Sequence, residues 1–473
     1  MDPRDASART LAPVAIHLRG NDLLLVPENP ADLTALPAEI RAGLRYDQRL
    51  RGYRAMPLHL PAIEAALGAA AEFRFAPRPA LPFATRVGLT PRPYQAEALA
   101  AWKAAAGRGV VVLPTGAGKT FVAVLAIDAM RLWTIVLVPT LDLLAQWRAA
   151  LIAGLDVSDD DVGVFGGGVQ EVRPLTVITY ESAARHPRLL TRFGLLVADE
   201  AHHLPAPAYR RIAEGAVAPY RLGLSATPER SDGRHSELEQ LIGPEVYRRE
   251  PEELARGGHI ASCEERRVEV ALVREERAQY EEHTQTYRGY LAARGLRVRT
   301  AEEFERLVLR RSGGDPMAYA ALRAHQQARR IAFGAKSKLA EVEALLERHR
   351  DERVLIFSEY NAAVEELGRR LCIPVIVHTT PPAERQAILE RFRSGIYTKL
   401  ATGRVLNEGV DVPDASVAIV LSGSSTRREY LQRLGRILRP KAGGAVLYEL
   451  ITRDTAEPQV AKRRRAARPE PAR

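Results

Sequence analysis

Short apolar runs alternate with segments of helical periodicity over two long parts of the chain. Between Val87 and about Arg249 the runs are VVVLP, TIVLVP, LTVITY, FGLLVADE and YRLGLSAT. From Lys336 onward they are RVLIFSEY, PVIVH, TKLATG, ASVAIVLS and GAVLYELI. Strand-sized apolar runs separated by helical segments are typical of parallel strands joined by crossover helices. The pattern therefore predicts an α/β protein with two parallel-sheet domains, over residues 86–250 and 336–455.

The rest of the chain has different patterns. Residues 1–85 contain short strand-like runs interrupted by prolines, which predict a small N-terminal domain. Residues 251–335 contain long charged helical stretches such as REERAQYEEHTQTYRGYLAARG, which predict a helical insert. Residues 456–473 form a basic tail, for which a solvated role is favoured over that of a nonspecific phosphate-binding arm.

Composition restricts the class of protein and of partner. The chain is 46% hydrophobic and 27% charged, as expected of a globular protein. Lys and Arg outnumber Asp and Glu by 68 to 58, which favours a polyanionic partner such as nucleic acid, although a general basic bias would give the same excess. The two cysteines, Cys263 and Cys372, are far apart and fit neither a disulfide framework nor a zinc site. No apolar run approaches the ~20 residues of a membrane span, so we expect a cytoplasmic protein.

The first motif follows the first apolar run of the 86–250 domain. In VVVLPTGAGKT a strand leads into a glycine-rich loop and then into a helix, the context of a phosphate-binding loop. The full pattern has glycine where this chain has Leu113, so the motif alone leaves a simple turn possible. The predicted nucleotide-binding residues are Thr115, Gly116, Ala117, Gly118, Lys119 and Thr120, with Lys119 on the β- and γ-phosphates and Thr120 on Mg²⁺.

The second motif is FGLLVADEAHH, in which an apolar strand ends at Asp199 and Glu200. A carboxylate at the carboxyl end of a parallel strand can hold a Mg²⁺ beside bound phosphates, which is the role predicted for Asp199. Glu200 is predicted to orient or deprotonate the attacking water. No Cys or His spacing nearby supports zinc. We therefore interpret His202 as a polar link across the site and His203 as a packing residue.

Taken together, GAGKT, DEAH, SAT and QRLGRILRP occur in the order found in superfamily 2 helicases, which the chain resembles. The resemblance implies an ATPase site shared by two RecA-like lobes. It assigns Arg436 and Arg439 as arginine fingers, which typically contribute ~10³–10⁵ in rate, together with Gln432 as a third catalytic residue.

Further motifs fit the same resemblance. PRPYQAEAL places Arg92 and Gln95 like the adenine-reading element of these motors, and Gly409 and Asp411 are assigned to the nucleotide as well. Other residues resemble those that face nucleic acid or couple it to ATP: Thr140, Thr179, Ser225, Thr227, Arg230, Asp232 and Thr402. Each hydroxyl among them could instead cap a helix.

Within the superfamily the chain resembles the XPB-type DNA repair helicases in their compact archaeal and bacterial form. The resemblance rests on SATPERSDGRH, on SGSSTRREYLQRLGRILRP and on AVLYELITRDTAE, and it covers about residues 87–465. The family's Arg-Glu-Asp triplet is Arg230-Ser231-Asp232 here, so its middle acid is missing. The helical insert corresponds to the family's thumb, and the N-terminal segment occupies the place of its damage-recognition domain.

The resemblance implies a monomeric DNA helicase or translocase that uses ATP and Mg²⁺ and moves 3′ to 5′ on forked or partly single-stranded DNA in repair, with a nuclease as a possible partner. The altered triplet leaves a second hypothesis, an ATP-switched DNA clamp that recruits a nuclease without processive unwinding. An RNA helicase also stays open, because 2′-hydroxyl contacts leave no readable motif. A restriction motor is disfavoured, since no nuclease constellation is evident in the sequence.

Overall fold

The computed structural model describes residues 11–229, 232–259, 263–298, 301–312, 315–403, 415–421 and 445–466. The chain forms two compact units, Met1–Pro251 and Glu252–Arg473. Within the described ranges, no helix has both the length and the apolar character needed to cross a membrane.

The N-terminal part of the first unit is a five-stranded sheet with the strand order β3-β4-β2-β1-β5. All neighbouring strands are antiparallel except β1 and β5. Gly20, at φ +67°, lies in the two-residue turn between the first two strands, where glycine tolerates a left-handed backbone. The elements are β1 (Val14–Arg19), β2 (Asp22–Pro27), α1 (Ala38–Gly43), β3 (Arg45–Asp47), β4 (Gly52–Ala55), α2 (Leu60–Leu67) and β5 (Ala71–Phe73).

The larger part of the first unit is an eight-stranded sheet with the strand order β13-β6-β12-β11-β7-β10-β8-β9. Every neighbouring pair is parallel except β8 and β9. The elements are α3 (Pro93–Ala104), β6 (Arg108–Val112), α4 (Lys119–Met130), β7 (Thr134–Val138), α5 (Leu141–Leu155), β8 (Val162–Gly166), β9 (Val169–Gln170), β10 (Leu175–Thr179), α6 (Tyr180–Arg185), β11 (Leu195–Asp199), α7 (Arg210–Gly215), β12 (Tyr220–Ser225), α8 (Glu237–Leu241) and β13 (Glu245–Arg248).

Burial explains why this sheet could be predicted. Every residue of β7, β10 and β11 is buried, because both faces of a parallel sheet are covered and the strands are apolar on both sides. The two sheets of the unit also share packing. Leu58 of the N-terminal part belongs to the core of the large sheet, and Val217 of the large-sheet part belongs to the N-terminal core.

The second unit is built around a six-stranded, fully parallel sheet with the order β14-β19-β18-β15-β17-β16. The two parallel sheets confirm the predicted α/β class. The elements are α9 (Pro251–Arg256), β14 (Cys263–Val270), α10 (Arg274–Ala293), α11 (Ala301–Ser312), α12 (Pro316–Phe333), α13 (Lys336–Arg348), β15 (Val354–Phe357), α14 (Asn361–Leu371), β16 (Val375–Ile376), α15 (Pro382–Arg393), β17 (Lys399–Thr402), β18 (Val417–Val420), β19 (Ala445–Thr452) and α16 (Glu457–Ala466).

The range 251–335, predicted as a helical insert, contains both helices and a strand. Helices α10, α11 and α12 pack together around a small core that includes Phe304 and Val308. Strand β14, however, pairs along its whole length with β19 and forms an edge of the second parallel sheet. The insert is therefore joined to this sheet through its own first strand.

Candidate nucleotide-binding site

The predicted motifs of the first unit lie along one edge of the eight-stranded sheet. The neighbouring strands β6, β12, β11, β7 and β10 are parallel, so their carboxyl ends meet at the same edge. In that order, the strands are followed or ended by the loop before Lys119 and by Ser225, Asp199, Thr140 and Thr179. In open α/β sheets this edge is where ligands bind.

The glycine-rich loop has the backbone that the motif predicts. Gly118 precedes helix α4 at φ +79°, in the left-handed region that side chains rarely adopt. A Cβ at this position would lie 2.6 Å from Nε2 of Gln95, so any other residue would also have to displace the Gln95 side chain. Nζ of Lys119 lies 3.3 Å from the carbonyl oxygen of Leu113 and 3.4 Å from that of Pro114, at the beginning of the same loop.

Leu113, the departure from the full glycine pattern, extends the sheet instead of turning away from it. Its N–H donates to the carbonyl oxygen of Ser225 at 3.1 Å, which continues the pairing of β6 with β12. Its side chain is fully buried. The backbone turn that needs glycine begins only at Gly116, where φ is +84°. Leucine at position 113 is therefore compatible with the phosphate-binding loop.

Gln95, one of the two predicted adenine-reading residues, lies directly against this loop. Oε1 of Gln95 accepts a hydrogen bond from the backbone N–H of Arg92 at 3.0 Å, which fixes the start of α3. Nε2 of the same side chain donates to the carbonyl oxygen of Ala117 at 3.2 Å. The hydroxyl of Tyr94 donates to that carbonyl at 2.7 Å. Helix α3 thus holds the loop through two side chains, and the sequence analysis identified only one of them.

Asp199 ends β11 as a buried carboxylate that is 7% exposed. One oxygen accepts a hydrogen bond from the indole Nε1 of Trp147 at 2.7 Å, and the other accepts from the backbone N–H of Glu200 at 3.0 Å. Burial raises the pKa of Asp199, while the Trp147 hydrogen bond and the nearby charge of Lys119 act in the opposite direction. Asp199 is thus held in one orientation by neutral donors from two elements.

Glu200 and His202 connect this acid to the SAT motif. Glu200 has a left-handed backbone at φ +46°, a strained conformation of the kind that collects at functional sites. Nδ1 of His202 lies 3.4 Å from Oε2 of Glu200 and 3.4 Å from Oγ of Ser225. Oγ of Ser225 also accepts from the backbone N–H of Thr227 at 3.1 Å. The fully buried His202 therefore occupies the linking position expected of it.

Two aromatic residues complete the support of Asp199, and the sequence analysis missed both. Besides Trp147, the hydroxyl of buried Tyr180 donates to the carbonyl oxygen of Asp199 at 2.8 Å, and burial raises the pKa of that hydroxyl. The ring of Tyr180 also packs on His203, with ring centroids 5.7 Å apart, in line with the packing role predicted for His203. Tyr180 ends the quoted run LTVITY and Trp147 follows the run TIVLVP, so a polar-tipped aromatic at a buried helix position was the available clue.

Two of the predicted nucleic-acid hydroxyls of this unit, those of Thr140 and Thr179, cap helices, which is the alternative that the sequence left open. Oγ1 of Thr140 accepts from the backbone N–H of Leu143 at 3.3 Å, at the start of α5. Oγ1 of Thr179 accepts from the backbone N–H of Ser182 at 3.2 Å, at the start of α6. Their contact with nucleic acid stays a prediction.

The remaining predicted site residues lie elsewhere. Thr402 is a buried residue at the end of β17 in the second unit, where its hydroxyl donates to the carbonyl oxygen of Gly403 at 3.1 Å. Oδ1 of Asp232 accepts from the backbone N–H of Arg234 at 3.2 Å. The other predicted site residues lie outside the described part of the chain: Arg230, Gly409, Asp411, Gln432, Arg436 and Arg439.

The residues present at the sheet edge fit a nucleoside triphosphate with a divalent cation. Among the described residues, the buried hydroxyl of Thr115 within the glycine-rich loop has no hydrogen-bond partner. Backbone N–H groups at the start of α4 suit phosphate oxygens, and Lys119 adds a positive charge. Thr120 and Asp199 supply the hydroxyl and carboxylate oxygens that Mg²⁺ prefers.

Comparison with known protein families gives two matches. Residues 88–230 match the family described as "Type III restriction enzyme, res subunit". Residues 318–467 match the family described as "ERCC3/RAD25/XPB C-terminal helicase".

Several curated proteins are similar to this chain over most of its length. "DNA 3'-5' translocase XPB2" of Sulfurisphaera tokodaii is 41% identical, over 79% of this chain and 84% of that protein. "DNA 3'-5' helicase XPB" of Mycobacterium tuberculosis is 35% identical, over 76% of this chain and 60% of that protein. The chain thus spans most of the first relative and less than two thirds of the second.

Among solved structures, the Pyrococcus furiosus Hef helicase domain is similar in fold. The match has a TM-score of 0.54 at 18% identity and covers 79% of this chain and 97% of that one. At this identity the likeness concerns the fold alone, and it supports two RecA-like lobes.

Proposed function

This chain belongs to the XPB family of superfamily 2 DNA helicases, and from that membership we propose that it is an ATP-dependent 3′-to-5′ DNA helicase or translocase. Its substrate is forked or partly single-stranded DNA, and its setting is DNA repair. The names of its relatives support the direction of movement and the nucleic acid. A monomeric state, a nuclease partner and a cytoplasmic location stay predictions of the sequence.

The observation that carries the proposal is the order of motifs along one sheet edge. Lys119, predicted to contact the phosphates, follows β6, and Asp199, predicted to hold Mg²⁺, ends β11. Thr140 and Thr179, predicted to face nucleic acid, follow β7 and end β10. These four strands lie within five successive positions of the sheet, and the fifth strand, β12 with Ser225 at its end, lies between β6 and β11. A displacement of the residues around the phosphates can therefore be transmitted through a few packed side chains to the residues predicted to face nucleic acid.

The residues have separate roles in the reaction. ATP bound with Mg²⁺ supplies the phosphoryl bond whose hydrolysis provides the energy. Lys119 neutralises the phosphates, and Thr120 and Asp199 hold the metal. Trp147 and Tyr180 keep Asp199 in place. Glu200 orients the attacking water and accepts its proton.

His202 then ties the acid to the strand next to it. Its Nδ1 lies 3.4 Å from Oε2 of Glu200 and 3.4 Å from Oγ of Ser225. A shift of Glu200 during the reaction therefore alters a polar contact of β12. We propose that this contact couples ATP hydrolysis to DNA binding. The resemblance to superfamily 2 helicases assigns the same coupling role to the SAT motif.

Steady-state hydrolysis of ATP tests the proposal. The rate is measured without nucleic acid and with single-stranded DNA, forked DNA and RNA of matched sequence, and Glu200→Gln is the control. We expect strong stimulation by DNA that disappears in the control variant. Hydrolysis indifferent to every nucleic acid would overturn the proposal, and equal stimulation by RNA would contradict the assignment of DNA as the specific substrate.

Strand displacement separates the helicase from the clamp hypothesis. A duplex with a 3′ single-stranded tail and one with a 5′ tail are given to the full chain with ATP. Separation of the duplex that starts from the 3′ tail supports the proposed direction. ATP-dependent binding with no displacement on either substrate would favour the ATP-switched clamp.

A further inference from the structure

A cleft of about 490 Å³ lies in the first unit, beside the predicted nucleic-acid end of the sheet edge. One side is formed by Asn21, in the β1–β2 turn of the N-terminal sheet. The other side is formed by the short 3₁₀ helix Pro187–Arg192 and by Phe165 at the end of β8. The two parts of the unit share core residues, so the cleft lies between elements that pack together.

The lining of this cleft combines an apolar wall with a basic rim. Phe165 and Leu189 form part of the wall, and Arg185, Arg188 and Arg192 also line the cleft. Arg185 pairs with Glu181. Among the described residues, Arg188 and Arg192 are exposed and make no ion pair. Two arginine side chains therefore remain available for an anionic partner.

The cleft continues into the groove that holds the predicted nucleic-acid contacts. That groove is lined by Leu141, next to Thr140, and by Thr179 itself. The two cavities share Phe165, Arg185 and His186. A polymer that follows the groove past Thr179 would therefore enter the cleft at His186 and reach the two free arginines.

We propose that this cleft binds a single-stranded segment of the substrate DNA, with phosphates on Arg188 and Arg192 and unpaired bases against the apolar wall. The inference rests on the proposed function. A duplex presents phosphates and paired base edges, whereas unpaired nucleotides present flat apolar faces together with phosphates. The apolar wall next to the basic rim thus favours single strands, and the N-terminal sheet extends the DNA path beyond the motif residues.

Equilibrium binding of labelled oligo(dT) to the full chain, measured by fluorescence anisotropy at several salt concentrations, tests the proposal. The test variant is Arg188→Ala/Arg192→Ala. We expect weaker binding, with a slope of log affinity against log salt lowered by about 1.4, since each single-strand phosphate contact contributes about 0.7. ATPase measurements should show a higher DNA concentration at half stimulation and an unchanged rate at saturating DNA.

Two further variants give the matched controls. Arg348→Ala/Arg370→Ala removes the same charge from exposed helix ends of the second unit and should leave the salt slope unchanged. Arg188→Lys/Arg192→Lys retains the charges in the cleft and should restore most of the affinity. A salt slope equal to wild type in the alanine variant would overturn the proposal. So would an equal loss of affinity for blunt duplex, because it would assign the arginines to double-stranded DNA. If DNA does not stimulate the wild-type enzyme, the proposed function fails instead.

Discussion

Among the described residues, the buried carboxylates Asp199 and Glu457, one in each unit, both lie near a lysine, but their surroundings differ. Glu457, at the start of α16, accepts hydrogen bonds from Nζ of Lys338 at 2.7 Å on both oxygens. These two side chains are only 2% and 3% exposed. Asp199 is nearly as buried, yet among the described residues its hydrogen bonds come from neutral donors alone. Its lysine, Lys119, donates to backbone carbonyls of the glycine-rich loop.

The backbone around the two carboxylates differs as well, and it is favourable for Glu457 but strained beside Asp199. Glu457 lies in the first turn of a helix, where the helix dipole stabilises a negative charge, and it also accepts from the backbone N–H of Thr452 at 2.8 Å. Glu200, next to Asp199, has a left-handed backbone that costs about 1–3 kcal/mol. The first arrangement is compensated within the protein and is structural. The second leaves charge and strain to be compensated by a ligand, which is what a catalytic site requires.

The strongest test of this contrast is Lys119→Ala. Loss of the ammonium group should lower ATP hydrolysis by at least about 10²–10³-fold, because one preorganised charge at the phosphates is removed. The thermal unfolding midpoint should stay close to the wild-type value, since Asp199 keeps its hydrogen bonds from Trp147 and from the backbone N–H of Glu200. DNA-stimulated hydrolysis and thermal melting of the same preparation check both expectations.

Arg436→Ala is the companion variant. Arg436 lies outside the described ranges, so its role is predicted from the sequence motif alone. As an arginine finger it should lower hydrolysis by about 10³–10⁵-fold while nucleotide binding is retained. Equilibrium binding of a fluorescent ATP analogue compares the two variants. An equal loss of nucleotide binding in both would contradict the separate roles assigned to them.

Lys338→Ala should have the opposite effect. It leaves Glu457 buried without its cation, which typically costs about 3–5 kcal/mol in the free energy of unfolding. Burial already raises the pKa of Glu457 even beside the lysine, so the uncompensated carboxylate should protonate or disrupt its surroundings. Thermal melting should show a midpoint lower by about 10 °C, from roughly 2–4 °C per kcal/mol.

The double variant Lys338→Met/Glu457→Gln is the control for this prediction. It removes both charges, so its midpoint should lie between those of Lys338→Ala and the wild type. A Lys338→Ala protein that melts like the wild type would show that the pair is not structural, and the contrast with Asp199 would be lost.

The sequence could predict the two sheets and most of the nucleotide loop because these depend on local patterns. The strands β7, β10 and β11 are continuous apolar runs, and a parallel sheet brings the motif residues after them to one edge without further information. Gly118 could likewise be predicted, because its left-handed backbone admits few other residues.

The contacts that support the site could not be predicted in the same way. Trp147 is 52 residues away from Asp199, and Lys338 is 119 residues away from Glu457. Helical periodicity indicates that Trp147 faces the core, but not which polar group its indole N–H meets. The pairing of β14 with β19 could not be predicted from the sequence either, because a charged strand at a sheet edge lacks the apolar run of a central strand.

Trp147→Phe tests the missed contact and should have a smaller effect than Lys119→Ala. The ring remains, but the N–H that donates to Asp199 is lost. Removal of a hydrogen bond that orients a metal ligand typically costs about 10–100-fold in metal affinity or activity. We therefore expect a rise in the Mg²⁺ concentration at half-maximal ATPase rate, measured by titration of Mg²⁺ at saturating ATP and DNA.

Trp102→Phe is the matched control for that experiment. Trp102 is also buried in the first unit, and its Nε1 donates to the backbone carbonyl of Arg221 at 2.9 Å, not to a predicted site residue. The two variants lose the same group from similar surroundings. If both variants changed the Mg²⁺ dependence equally, the effect of Trp147→Phe would come from a general loss of stability and not from its hydrogen bond to Asp199.

The smallest expected effect concerns His325. It is a buried titratable side chain with neither the ion pair of Glu457 nor the predicted ligand of Asp199. Its ring lies between those of Tyr287 and Phe304, with centroids 5.2 Å and 4.5 Å away, and burial together with the charge of Arg329 lowers its pKa from 6.5 to about 4. The folded protein therefore keeps His325 neutral at a pH where the unfolded chain takes up a proton. Its contribution to stability is complete above pH 6.5 and is lost as the pH falls from 6.5 toward 4. Thermal midpoints measured over this range should fall more steeply for the wild type than for His325→Phe, which cannot take up that proton, and parallel curves would show that this histidine is not held neutral by its packing.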